Sequence, residues 1–190
     1  MSDLVKKTKI VPFINTGTTM SPTWTQIKKS TSFTLAMNPQ TQTFDFISDE
    51  IPQSEVDRYQ PSLAQSLTMF KGEDDYQTIF DMLFERATGE DAHREVLIAF
   101  YKETASYKPS GESNPVTVYK AWKVDATVTL NQMDTVNENI DFDLAFNSIT
   151  EGAVSVSGQG VPSFTKGSFT KAEGSYTFVP DGTESESVGA

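Results

Sequence analysis

The sequence predicts a mainly-β (α+β) domain, an antiparallel β-sandwich with one amphipathic α-helix packed against it. Several segments alternate apolar and polar residues with a period of two. A single segment, near residues 75–87, repeats its apolar residues with helical spacing. Turn-forming residues punctuate the rest.

The first strand signals follow Trp24. Phe33, Leu35 and Met37 alternate with Thr34 and Ala36, and Phe44 and Phe46 alternate with Thr43 and Asp45. Asn38-Pro39-Gln40-Thr41 reads as the turn between them, so the two runs are expected to pair as a hairpin. Residues 49–62 carry Asp49, Glu50, Glu55, Asp57 and Arg58 among Pro52 and Pro61, and read as a long exposed loop. A short strand is expected near Leu63 to Phe70.

The helix is expected from Asp75 to about Ala87, burying Tyr76, Ile79, Phe80, Leu83 and Phe84 as one stripe. Asp74 is the candidate N-cap with Gln77 as its capping-box partner, and Gly89 the terminator. Arg94 to Glu103 is apolar on both faces, as in a strand covered on both sides. A long strand follows from Val116 to about Met133. Val116, Val118, Trp122, Val124, Ala126, Val128 and Leu130 share one of its faces, broken by Lys120; Thr117, Tyr119, Lys123, Asp125, Thr127 and Thr129 share the other. Ile140, Phe142, Leu144 and Phe146 then alternate with Asp141, Asp143, Ala145 and Asn147.

These elements divide the chain into an N-terminal arm (1–23), a central domain (24–160) and a Ser/Gly/Thr/Lys-rich tail (161–190) whose last ten residues have the composition of disorder. The arm's Ile10, Val11, Phe13 and Ile14 need a surface to dock on, in this domain or a neighbour.

Composition narrows function. With no cysteine among 190 residues there is no disulfide framework and no thiolate nucleophile or metal ligand. No apolar run reaches the roughly 20 residues that cross a bilayer, and the N-terminus lacks a signal-peptide core. Assembly in the cytosol is the simpler expectation. The net charge of −11 argues against gripping nucleic acid by its phosphates. It leaves open a surface past which nucleic acid slides.

No catalytic constellation stands out. His93 is the single histidine, without partners for a metal. Asp141 and Asp143 share a strand face and, with Asp125, are the best candidates for acid–base work, but a solvated strand face explains them more simply. Glu73-Asp74-Asp75 fits the positive end of a helix dipole, and Gly158-Gln159-Gly160 is too short for a phosphate loop. The expectation is a non-enzyme with no cofactor and no metal.

Gly17-Thr18-Thr19 and the segment from Ser21 to Ile27, then Asn38 to Thr43, Val124 to Leu130 and Ile140 to Asn147, taken in this order, resemble the major tail tube proteins of long-tailed, non-contractile (siphovirus-type) bacteriophages. Gly17-Thr18-Thr19 with Ser21-Pro22-Thr23-Trp24-Thr25-Gln26-Ile27 is similar to their opening. Asn38-Pro39-Gln40-Thr41-Gln42-Thr43 resembles their first hairpin. Val124 to Leu130 and Ile140 to Asn147 resemble their late strand pair. The resemblance spans roughly residues 15–160 and rests on feature order, not on an invariant motif.

It implies hexameric rings that stack into a virion tail tube assembled in the host cytoplasm. Each subunit would lend a sheet to an inner β-barrel, with the helix outside it. The tape measure protein, and then double-stranded DNA, would occupy the lumen; tail tip or initiator and terminator proteins would be further partners, and no membrane. Asp125, Thr127, Thr129, Asp141 and Asp143 are the lumen candidates, and Asp49, Glu50, Glu55, Asp57 and Arg58 the inter-ring loop. The alternatives are a tube protein of a contractile phage or phage-tail-like injection system, a β-sandwich binding module and, least favoured, an enzyme centred on Asp141 and Asp143.

Overall fold

The structure, a computed structural model, describes residues 6–45, 47, 50–109, 114–158, 160–172 and 175–181. Among these it has eleven strands, one α-helix and two short 3₁₀ turns, the mainly-β class with one helix that the sequence predicts. The chain forms two compact units, each discontinuous in sequence.

The first unit comprises Met1–Ile27, Glu95–Asp125 and Ser148–Ala190. Its frame is β7 (His93–Tyr107), β8 (Val116–Asp134), β9 (Asn139–Val156), β10 (Pro162–Ala172) and β11 (Ser175–Pro180). Each pairs with the next, and β11 returns to β7, so the five strands close into a barrel. Closure is parallel, through Tyr176 opposite Ala105 and Thr177 opposite Ser106. The barrel is filled from all five strands: Ala105, Val118, Ala153 and Phe178 are buried, with Tyr107, Phe169 and Tyr176 packed on them. A second cluster joins Leu97, Ala99, Ala121 and Val154 to Val11 and Phe13.

Those last two residues belong to β1 (Ile10–Asn15), which pairs with β7 from Ile10 opposite Phe100 to Ile14 opposite Val96, and with β2 (Trp24–Gln26). Within the expected N-terminal arm, Ile10–Asn15 is therefore a sheet strand that docks on this unit. Asn15, 4% exposed, fixes the segment that follows. Its Oδ1 accepts from the backbone N–H groups of Gly17 and Thr23, and its Nδ2 donates to Thr18 O and Glu95 Oε2. Within the expected low-complexity tail, Pro162–Ala172 and Ser175–Pro180 likewise pair as strands β10 and β11. Residues 182–190 lie outside the described residues.

The second unit comprises Lys28–Arg94 and Ala126–Asn147. Here β3 (Ser30–Ala36), β6 (Ser62–Thr68) and the adjoining halves of β9 and β8 make a four-stranded sheet in the order β3-β6-β9-β8. Its register sets Leu35 opposite Leu63, Leu63 opposite Leu144, Gln65 opposite Phe142 and Leu67 opposite Ile140. Leu63, Leu67, Val128, Ile140, Phe142 and Leu144 are buried, so one face of the sheet is core.

The expected hairpin between the runs around Leu35 and Phe44 does not form. β3 pairs with β6, while β4 (Pro39–Phe44) pairs with β5 (Gln53–Tyr59) as a separate two-stranded ribbon. Asn38, with φ of 43°, redirects the chain between the two pairings and donates its side-chain amide to Gln60 O and Ser62 Oγ. Pro39 opens a strand because a first position tolerates the missing N–H. Residues 53–59 of the expected long loop are thus strand.

The helix α1 (Asp74–Glu85) begins and ends earlier than expected. Glu73 occupies the N-cap without a side-chain cap, Gln77 bonds to Asp81, and Arg86 in the left-handed region ends the helix, not Gly89. Backbone N–H of Lys28 donates to Asp75 Oδ2, and Lys29 pairs with Glu73 at 2.9 Å, which ties the helix start to the start of β3. The buried apolar residues are Ile79 and Met82. Tyr76 and Phe80 are half-buried and Phe84 is 76% exposed, so the aromatic edge of the expected stripe faces water.

Candidate assembly surfaces

Strand alternation turns every second residue of the four-stranded sheet away from the core. On that side β3 presents Ser32 and Thr34, β6 presents Ala64 and Ser66, and β9 presents Asp141, Asp143, Ala145 and Asn147. β8 adds Thr127, Thr129 and Asn131. The register places Ser66 opposite Asp141 and Ala64 opposite Asp143. Small and hydroxylated side chains surround two carboxylates, and no lysine or arginine stands at any of these positions.

The carboxylates are held by neutral donors. Gln132 Nε2 donates to Asp141 Oδ2 at 2.6 Å, and Asn131 Nδ2 to Asp143 Oδ2 at 2.8 Å. Asn147 Nδ2 donates to Thr127 Oγ1 at 3.0 Å. Amide donors orient a carboxylate without cancelling its charge, so the face keeps a negative potential. Of the five lumen candidates, Thr127, Thr129, Asp141 and Asp143 come together on this surface. Asp125 lies on the same side of β8 but falls in the barrel unit, where it is half-buried. The partners Asn131 and Gln132 escape a reading by residue type, although the hairpin pairing of β8 with β9 brings them into reach.

The second surface is the β4–β5 ribbon. Every residue of β5 is exposed, and in β4 only Phe44 is half-buried. The pairing runs from Pro39 opposite Tyr59 to Phe44 opposite Gln53, with an irregularity at Gln40/Thr41. Glu50, Glu55, Asp57 and Arg58 all lie here in water, and Asp57 meets Arg58 at 3.5 Å. Asp49 lies outside the described residues. The ribbon also exposes Ile51, Val56 and Tyr59, the last two by about half. A lone two-stranded ribbon without a covered face is marginal in water. Its exposed apolar residues fit a strand pair that another surface covers.

Two carboxylates outside these surfaces have lowered pKa values. Hydrogen bonds from Asn137 and the Val136 N–H hold Asp134 below the usual carboxylate range in the β8–β9 turn. The Lys29 ammonium does the same for Glu73. His93, exposed, is the first residue of β7. Among the described residues no group of three His, Cys, Asp or Glu is placed to hold a metal ion. None of the described helices is long and apolar enough to cross a membrane.

No protein-family profile matches the chain, and no curated protein matches it. Among solved structures, a chain of the sheath–tube complex of an extracellular contractile injection system in its extended state is similar, at 10% identity. The match covers 80% of this chain and 93% of that chain, with a TM-score of 0.44.

Proposed function

We propose that this chain is a non-catalytic structural subunit that self-assembles into stacked hexameric rings, forming a tube of the phage-tail kind through which double-stranded DNA passes. The observation that carries the reading is the cation-free sheet face bearing Asp141 and Asp143. A conduit for DNA must repel phosphate without binding it, and a surface of hydroxyls, small residues and amide-held carboxylates has that chemistry.

The dimensions agree. Six copies of a four-stranded sheet give about 24 strands, which at about 4.8 Å spacing make a circumference of about 115 Å before tilt. Ring closure would pair the outer edge of β3, at the end of the sheet order, with a neighbouring copy, removing an edge that otherwise invites uncontrolled pairing. The ribbon would reach the adjacent ring. In this reading the tape measure protein precedes DNA in the lumen, initiator and terminator proteins bound the tube, and the protein resides in the virion tail.

A second reading, a tube inside a contractile sheath, is favoured by the helix. Tyr76, Phe80 and Phe84 form a ladder with ring centroids 5.7 and 6.4 Å apart, half-buried at the first two residues and exposed at Phe84. On a tube whose helices lie outermost, an outer layer would cover that ladder.

Negative-stain electron microscopy of the purified protein, with light scattering at rising concentration, tests the reading. Hollow tubes or six-fold rings are the expected result. A particle that stays monomeric even with an initiator complex present removes the tube and leaves a β-sandwich binding module.

A further inference from the structure

The charge of the chain is partitioned between its units. The second unit holds six basic and sixteen acidic residues, a net charge of −10, whereas the barrel unit holds nine lysines and ten acidic residues, a net charge of −1. The sequence from Phe44 to Tyr59 holds five acidic residues against one arginine, and Glu50, Glu55 and Asp57 are exposed on the ribbon and beside it.

The barrel carries a cationic feature of matching kind. Lys120 Nζ on β8 lies 3.7 Å from the ring centroid of Tyr176 on β11, and Lys171 Nζ on β10 lies 5.7 Å from the same centroid. Lys120 also lies 5.5 Å from the centroid of Phe169. Among the described residues, neither ammonium has a carboxylate within ion-pair distance. Two cations gathered at one ring repel each other, and among the described residues no carboxylate is paired with either to offset that repulsion. Lys120 also lines an open cavity of about 380 Å³ together with Phe100, Trp122 and Phe169, with Glu103 and Glu151 at its wall.

We propose that the Lys120–Lys171–Tyr176 patch is the receiving surface for the acidic β4–β5 ribbon of a second copy. The inference rests on the stacking reading and names the partner surface that reading requires. Glu55 or Asp57 meets the two ammonium groups, and the exposed Ile51 or Val56 enters the aromatic cavity. Because ribbon and patch differ, the contact is head-to-tail. Such contacts propagate along an axis, as stacked rings require. Arg58 is the ribbon's complement to Glu103.

The test is charge exchange in the full-length chain, with association followed by sedimentation at low ionic strength and at about 0.5 M salt. Lys120→Glu with Lys171→Glu, and separately Glu55→Lys with Asp57→Lys, should each weaken association at least tenfold. Mixing the two variants should restore it, and salt should weaken the wild type. Lys120→Gln with Lys171→Gln, checked by thermal melting, separates lost charge from lost folding. If deleting residues 50–60 abolishes association while the charge changes leave it intact, the ribbon docks elsewhere and the patch assignment falls alone. If that deletion leaves association unchanged, the stacking role of the ribbon falls with it. Duplex DNA bound at the patch by the deleted chain would assign the lysines to nucleic acid and overturn the proposal. So would a wild type that sediments as a monomer at every concentration in low salt.

Discussion

The ring of Phe178 on β11 lies against Gly167 on β10, so close that a Cβ at position 167 would stand 2.7 Å from it and 2.4 Å from Val179 O. Phe178 is buried among Ala105, Val118 and Ala153, so it has little room to retreat. Gly167→Ala should therefore destabilise the barrel by about 1–3 kcal/mol, the usual cost of overpacking. Urea unfolding followed by tryptophan fluorescence reads this directly, and an unchanged midpoint would show that the hairpin can shift away.

Gln65 makes the opposite case. It is 3% exposed on the core face of β6, between Leu63 and Leu67 and opposite Phe142, and both its side-chain Nε2 and Oε1 lack a partner among the described residues. Burying an amide without hydrogen bonds costs about 1–3 kcal/mol. Gln65→Met keeps the length and removes the polar atoms, so it should stabilise the protein by about 1–2 kcal/mol. A fall in the midpoint of chemical denaturation would mean that an ordered water satisfies the amide.

What was legible in the sequence follows burial. Val124 to Leu130 and Ile140 to Phe146 alternate because one face of β8 and β9 is core and the other is not. β5 is silent because Gln53, Ser54, Glu55, Asp57 and Arg58 have water on both sides, so no alternation marks a strand that backbone pairing creates. β10 and β11 are masked by Ser, Thr, Gly and Lys, and hang on a few aromatic anchors such as Phe169 and Phe178. In the helix the period is right but its inward direction is not readable, since Met82 is buried and Phe84 exposed. The acidic face was legible as Asp141 and Asp143; the ribbon's acids were found, but as a loop.

The Asp134 turn should contribute to stability in a pH-dependent way. Its folded pKa is depressed by the Asn137 and Val136 donors, so the contribution is present above the unfolded carboxylate value and is lost as pH falls through the folded one. Asp134→Asn keeps an acceptor and removes the charge. Its melting temperature should lie below wild type at neutral pH, and the gap should close once the medium is more acidic than the ordinary carboxylate range. A gap that persists in acid would place the effect in backbone geometry.

Reversing the charge of the sheet face separates folding from function. Asp141 and Asp143 are half-exposed and bonded to Gln132 and Asn131, outside the core. Asp141→Lys with Asp143→Lys removes two side-chain hydrogen bonds, at about 1 kcal/mol each, and leaves the buried Ile140, Phe142 and Leu144 in place. The subunit should fold and tubes should still form. If the chain forms the proposed DNA conduit, every ring would now present lysines where phosphate passes, and each such contact binds DNA in a salt-dependent way. DNA release from particles built with the variant should slow or stop at low salt and recover as salt rises. Insoluble subunit would instead mean that these carboxylates are structural, and unimpeded release with intact tubes would mean that another face of the sheet lines the bore.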